Sequence, residues 1–256
     1  MNDPPVSSAA NDVTRTREAL QAPTLSIVVP TFREAESLPS LIERVAQLRQ
    51  RTGLELELLI VDDDSRDGTE ALIAARTEPW VQLFVRTSDR GLSKAVLFGL
   101  RKARGELLVV MDADLSHPPE VIPDMLAHLR TGADFVLGSR YVSGGTTAEG
   151  WGLFRFLNSK VATYLARPLT RVSDPMSGFF ALPRAVFLRA ENPSPLGYKI
   201  GLELLVRCHC SDVREIPIHF SNREHGESKL TLQQQLLYVR HLGRLYRFRL
   251  GASLRG

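Results

Sequence analysis

Cysteine is scarce in this sequence: among 256 residues only Cys208 and Cys210 occur. They sit in GLELLVRCHC, which reads as helical, and side chains two apart diverge around a helix. A disulfide framework is thereby excluded. A Cys-His-Cys metal site is disfavoured for the same reason, and a reducing compartment is the default. Long apolar runs are also missing. No uncharged stretch approaches the roughly 18 to 20 residues that span a bilayer, so no membrane crossing is expected. The opening MNDPPVSSAANDVTRTREALQAP has no apolar core of a signal peptide and is rich in Pro, Ser, Ala and Asn. Residues 1–23 therefore read as a flexible leader. No G-x-G-x-x-G follows the first apolar run, which removes the usual dinucleotide fingerprint. Neither sign of charge dominates: 32 Lys and Arg against 29 Asp and Glu leave +3. That is too small an excess to argue for a nucleic-acid partner.

What is present describes a folded chain, 43% apolar and 24% charged. Its length suits one large domain, residues 24–230, with a C-terminal extension, 231–256. From Leu25, short β-branched runs alternate with helical patterns. LSIVVP reads as a strand, and SLPSLIERVAQLRQ as a helix with Ser37 at its N-cap and an apolar repeat at Leu41, Ile42, Val45 and Leu48. LELLIVD, VQLFVR, ELLVVMD and DFVLGSR continue as strands. A short helix after SRDGT, one from Leu92 to Ala103 and one from Pro118 to Arg130 separate them. Continuous apolar strands between amphipathic helices predict an α/β fold with a mainly parallel central sheet and helices on both faces. After Arg140 come a helix (WGLFRFLNSKVATYLARPL), a turn and short strand (SDPMSGFFALPR), a helix (YKIGLELLVRC), a strand (VREIPIHF), a polar loop (NREHGESKL) and a last helix from Leu232 to Leu250.

In such sheets ligands bind beyond the carboxyl ends of the strands. Those ends carry PTFRE, DDDSRDGT, DADLSH and GSR, so acidic groups converge on one rim. Asp112 and Asp114 repel each other unless a cation sits between them. Oxygen donors of this kind suit Mg2+ or Mn2+, which would hold a diphosphate through its remaining positions. Asp62, Asp63 and Asp64 lie where a nucleotide's ribose or base would fall, with Pro30, Thr31 and Glu34 beside them. Plain structural readings remain open: a capped strand end for D-x-D, a turn at Asp67-Gly68, and a solvated first turn for Glu34. DADLS also approximates the nucleophile motif of haloacid-dehalogenase-type phosphatases, but that motif opens its domain, and here three strand-helix units precede it. His117, before two prolines, reads as a turn residue, and Phe179 and Phe180 read as core.

Taken in order, SIVVPTFREAESLPSLIERV, IVDDDSRDGT, GLSKAVLFGL, VMDADLSHPPE, LGSRYVSGG, SDPMSGFFALPR and GESKL resemble the polyprenyl-phosphate glycosyltransferases of family 2, the dolichol-phosphate mannosyltransferase group. The resemblance spans Leu25 to Leu230. It implies a GT-A fold, a nucleotide-sugar donor, a divalent cation and inverting transfer of a hexose, mannose from GDP-mannose above all, to the phosphate of a polyprenol. By this resemblance Asp112, Asp114 and Ser116 would take Mg2+ or Mn2+, Ser116 standing where other members have Gln. Pro30, Thr31, Glu34, Asp62 and Asp64 would cradle the donor. Arg140, Arg155, Ser159 and Lys229 would meet the acceptor phosphate, with Asp114 and Arg140 at the reacting centre. Arg155 and Ser159, four apart, share a helical face. An ionised phosphate nucleophile needs positioning charge rather than a strong base. Arg223 could equally pair with Glu224 or Glu227, and Asp174 could only shape a turn. The alternatives are UDP-glucose as donor, a saccharide hydroxyl as acceptor, or a silent nucleotide-sugar-binding subunit.

The last helix sets Arg240, Arg244 and Arg247 at spacings of four and three, with Leu236, Val239, Leu242 and Tyr246 nearer the opposite side. Such a basic amphipathic helix suits a headgroup layer, and packing on its own domain or on a membrane-spanning partner subunit is an equal alternative. The resemblance points to a protein on the cytoplasmic face of a membrane, attached peripherally.

Overall fold

The computed structural model of the chain describes residues 23–147, 153–194, 196–221 and 232–253, without the side chains of 153–159, 232–234 and 252–253. The leader and the 222–231 loop lie outside the described residues.

Strands β1 (Leu25–Thr31), β2 (Leu56–Asp62), β3 (Val81–Val85) and β4 (Leu107–Val110) alternate with helices α1 (Leu38–Thr52), α2 (Thr69–Ala74) and α3 (Leu92–Lys102). There follow α4 (Ile122–Arg130), β5 (Phe135–Ser139), β6 (Thr146–Thr147), α5 (Leu153–Ala166), β7 (Phe180–Pro183) and α6 (Arg184–Phe187). The chain continues with α7 (Ile200–Arg207), β8 (Val213–Pro217), β9 (His219–Phe220) and α8 (Leu232–Ser253). Seven strands form one sheet in the order β3-β2-β1-β4-β7-β5-β8, while β6 and β9 pair separately. Only β7 runs antiparallel to its neighbours, so β4 and β5, the predicted parallel strands, are separated by it.

Alternation along the strands divides the core. Ile27 and Val29 face α1 and α4, whereas Val28 faces α3, behind which α7 and α8 complete the layer. Successive side chains on a strand point to opposite faces, so a strand covered on both sides is apolar throughout. Gly99 lets α3 come close: a Cβ there would stand 2.4 Å from Val28 Cγ1 and 3.0 Å from Val61 Cγ2.

Local details differ from the sequence expectation for physical reasons. Ser37 occupies the N-cap position of α1 but has helical φ and ψ and makes no side-chain cap bond. A turn already precedes it, with Ser37 N–H donating to Glu34 O at 3.1 Å. The helix expected from Pro118 begins as a 3-10 turn, Pro119–Val121, because consecutive prolines lack the donors a regular first turn uses. VREIPIHF splits after Pro217 into β8, on β5, and β9, on β6. Cys208 and Cys210 do not share a helix: α7 ends at Arg207 and His209, between them, takes a left-handed φ of 52°.

The C-terminal helix packs on the domain. Tyr238, His241, Leu242 and Leu245 are buried, while Leu236 and Val239 face solvent. The expected apolar side is therefore divided, because two polar residues with partners lie in the buried stripe. Tyr238 Oη donates to Ala162 O at 2.7 Å, and His241 Nε2 lies 2.6 Å from Glu203 Oε2. Arg244 leaves the basic row to reach Ser194 Oγ at 3.3 Å.

Candidate active site

Since β1, β2, β3, β4 and β5 run parallel, their carboxyl ends open on one rim. The loops after the first four each hold a non-glycine residue with left-handed φ: Arg33, Asp64 and Arg66, Asp89, and Leu115. Such conformations cost roughly 1 to 3 kcal/mol each and persist where surrounding bonds enforce them.

The bonds are present. Asp62, buried at the end of β2, accepts from Thr31 Oγ1 at 2.9 Å, from Ser65 N–H at 2.8 Å and from the Ser65 hydroxyl. Its carboxylate thus ties the ends of β1 and β2 together, and the expected donor-binding pair Thr31 and Asp62 is brought into contact. Pro30 lies one residue before Thr31, in register with Val61. Asp63 is buried with Arg86 at 2.8 Å and accepts from Gly91 N–H at 2.6 Å, fixing the start of α3. Asp64 pairs with Arg66 at 3.0 Å and with Arg90. The hydrogen bond from Arg66, with the charge of Arg90, holds its carboxyl below the usual range. Glu34 is half-buried in the loop after β1, its carbonyl accepting from Ser37 and Leu38 N–H.

Asp112 and Asp114 leave the end of β4 as expected. Asp112 is half-buried and Asp114 is buried. Asp114 Oδ1 accepts from Ser116 N–H at 3.1 Å and Ser116 Oγ at 2.6 Å. The Ser116 hydroxyl, fully buried, is directed at that carboxylate, a placement that orients Asp114. His117 Nδ1 accepts the Asp112 N–H at 3.0 Å, its ring stacked 5.2 Å from Phe179. Burial lowers its pKa despite the nearby aspartates, and the bond requires an unprotonated Nδ1. His117 is thus a neutral support for the Asp112 backbone. Among the described residues no group of three His, Cys, Asp or Glu is gathered to hold a metal. The two carboxylates supply hard oxygens of the type that binds Mg2+ or Mn2+ together with substrate phosphates, and so they fit such an ion.

Arg140 stands across from them. Its Nε and Nη2 each donate at 2.7 Å to a different oxygen of fully buried Asp174, and its guanidinium lies 5.1 Å from the Phe220 ring centroid. Burial opposes its charge, but the bonds to Asp174 outweigh that, and its pKa is raised. Asp174 is fixed in turn: its N–H and that of Ser173 donate to Glu215 at 2.9 and 2.6 Å. Asp174 is therefore the buried anchor of Arg140 rather than a turn-former alone. Lys160 reaches the Tyr141 ring, 4.4 Å from Nζ to centroid. Arg155 and Ser159 lie on α5, but their side chains, like Lys229 and Arg223, are outside the described residues.

These rim residues fall largely within residues 26–189, which match the family model for glycosyl transferase family 2. The chain belongs to glycosyltransferase family 2. It is 44% identical over 238 residues to a dolichol-phosphate mannosyltransferase of Mycosarcoma maydis, covering 90% of this chain and 81% of that protein. It is 42% identical over 229 residues to one of Pyrococcus furiosus, covering 88% of this chain and 64% of that longer protein. A solved structure of glucosyl-3-phosphoglycerate synthase from Mycobacterium tuberculosis, in complex with Mn2+, uridine-diphosphate-glucose and phosphoglyceric acid, superposes with a TM-score of 0.65. At 20% identity, with 98% of this chain and 86% of that one covered, this likeness establishes the GT-A fold. As a member of the family the chain is a glycosyltransferase.

One cationic residue near Arg140 had no signal in the motifs. Lys199, just before α7, donates from Nζ to Met176 O at 3.2 Å and lies 4.2 Å from the Tyr198 ring centroid. Burial, then the charge of Arg140, lowers its pKa to about 7, against the attraction of Asp174 and Asp112. Lys199 thus lies within electrostatic reach of Arg140, Asp174 and Asp112. Its contact with Met176, 23 residues earlier in the chain, is not something local spacing can reveal.

Proposed function

We propose that this glycosyltransferase moves mannose from GDP-mannose to the phosphate of a polyprenyl phosphate, dolichol phosphate or a relative of it, with inversion at the sugar carbon. The observation that carries the reading is Arg140, clamped by Asp174 and accompanied by Lys199, facing the Asp112 side of the rim. The names of the related proteins support the same acceptor and sugar.

In this reading Pro30, Thr31, Glu34, Asp62 and Asp64 hold the nucleotide, Asp62 by setting the shape of the loop. Asp112 and Asp114 hold Mg2+ or Mn2+, which when bound neutralises the departing diphosphate. Ser116 and His117 orient those two residues. Arg140, with Arg155, Ser159 and Lys229, fixes the acceptor phosphate so that an ionised oxygen meets the sugar carbon. As the C–O bond to the donor diphosphate breaks, the new C–O bond to the acceptor phosphate forms, and GDP leaves. Lys199, its pKa lowered to about 7, would gain its full positive charge when an anion is held beside it. A lipid acceptor requires the enzyme to work at a bilayer, and two free cysteines fit its cytoplasmic face.

The test offers GDP-mannose and UDP-glucose separately with a short polyprenyl phosphate and Mg2+ or Mn2+, using Asp114→Ala as control. Acid-labile mannolipid, lost in the variant, is the expected result. Glucolipid instead would replace the donor, and transfer only to saccharide hydroxyls would overturn the acceptor.

A further inference from the structure

One aromatic side chain touches both halves of the rim. The rings of Phe220 and His117 meet edge to face, with centroids 5.5 Å apart and planes at 63°, and the Arg140 guanidinium lies over the Phe220 ring at 5.1 Å. His117 in turn accepts the Asp112 N–H at 3.0 Å and stacks on Phe179 at 5.2 Å. Phe220 therefore stands between the support of Asp112 and the arginine that would face the acceptor.

The backbone fixes that ring. β8 ends at Pro217, level with Ser139 of β5, and the chain then turns so that His219 and Phe220 pair with Thr146 and Thr147. Thr146 N–H donates to Ile218 O at 3.0 Å, and Thr146 Oγ1 lies 2.6 Å from His219 Nδ1. Successive strand side chains point to opposite faces, so His219 is exposed while Phe220 is half-buried against the core that includes Ile218. A planar, weakly hydrated guanidinium stacks well on such a ring. Asp174 grips Arg140 along one edge, and Phe220 limits its tilt out of that plane.

We propose that Phe220 is a positioning residue, a spacer that sets the distance between an acceptor phosphate at Arg140 and the donor diphosphate at Asp112 and Asp114. This deepens the proposed transfer and rests on it. The two anions repel, yet the reacting atoms must stand about 3 to 3.5 Å apart, and a misplacement of about 1 Å can cost about 100-fold in rate. Asp112 and Arg140 stand on separate loops, after β4 and β5. A ring in contact with His117 and with Arg140 makes the separation of the two loops the width of one rigid side chain. An aliphatic side chain in its place has no flat face for the guanidinium and no edge-to-face contact for the imidazole.

The full chain is given GDP-mannose and Mn2+ with a short polyprenyl phosphate, and separately without acceptor, where mannose passes to water. The ratio of the two rates does not depend on the fraction of enzyme that is folded, so a destabilised variant still reports. Phe220→Leu and Phe220→Met are expected to lower kcat for the lipid acceptor about 10- to 100-fold, with its KM within about threefold of wild type. The ratio of transfer to hydrolysis should fall at least about tenfold, because water needs no placement by Arg140. Phe220→Tyr, which keeps the ring, should restore the ratio to within about threefold of wild type. Equal losses of transfer and hydrolysis in the leucine and methionine variants, the result of a merely structural role, overturn the proposal, as does a ratio that tyrosine fails to restore. Wild type that makes no mannolipid sinks the function reading and this inference with it, whereas wild-type transfer with an unchanged ratio in the variants sinks the inference alone.

Discussion

Arg140 and Asp174 form a buried, two-pronged pair at the rim, and they separate a group that would touch substrate from one that acts through it. Asp174 is fully buried and accepts from Nε and Nη2 along one edge of the guanidinium. Replacing one oxygen by an amide in Asp174→Asn removes the charge and half of the fork, while leaving Arg140 partly buried without full compensation. The expected outcome is a fall of about 10- to 100-fold in kcat/KM for the lipid acceptor, with GDP affinity unchanged. Steady-state kinetics alongside nucleotide titration would check it. If Asp174 acts through Arg140, adding Asp174→Asn to Arg140→Met should cost little more, since coupled residues are not additive. The acidic motif was legible at this scale because D-x-D stands at a strand end, but the partner of Arg140 was not. Asp174 lies 34 residues further on, and only the return of β7 beside β4 and β5 places it.

At the scale of elements, the joint between α7 and α8 depends on one carboxylate. Glu203, fully buried, accepts from Arg207 Nε at 2.6 Å and Ser194 N–H at 2.9 Å, and faces His241 at 2.6 Å. It thus ties the C-terminal helix to the segment that leads into Lys199. Burial would raise its pKa, but these bonds outweigh burial and the net shift is downward from 4.5. The unfolded chain therefore binds the proton more readily than the folded one. The contribution is complete above about pH 4.5 and is lost as pH falls through the lower folded value. Glu203→Gln should cost about 3 kcal/mol near neutral pH and should flatten this acid limb of the stability curve. Urea unfolding from neutral to acid pH measures both. The α8 pattern misled about which side is buried because periodicity assumes that the apolar stripe goes inward. Here Tyr238 and His241 found partners inside, and Leu236 and Val239 were left facing solvent.

For the whole molecule, the parallel strands and their helices were legible because strands apolar at every position belong to a sheet covered on both faces. The antiparallel β7 was not, since a short strand carries no mark of its direction or neighbours. In the proposed function that one insertion gives the site an acidic half, Asp112 and Asp114, and a cationic half, Arg140 and Lys199. Left-handed residues in four successive loops keep the acidic half shaped before any ligand arrives. In that reading, repulsion between Asp112 and Asp114 makes cation and nucleoside diphosphate mutually dependent, because each supplies the charge the other needs. GDP and Mn2+ together should therefore raise the melting temperature by more than the sum of their separate effects. At concentrations about 100 times Kd, a ligand specific for the folded state adds roughly 2.7 kcal/mol, or about 5 to 10 °C for a chain of this size. Asp114→Asn should remove the excess while leaving the unliganded melting temperature close to wild type. Equal, additive shifts in wild type and variant would separate metal from nucleotide and move the cation away from this pair of aspartates.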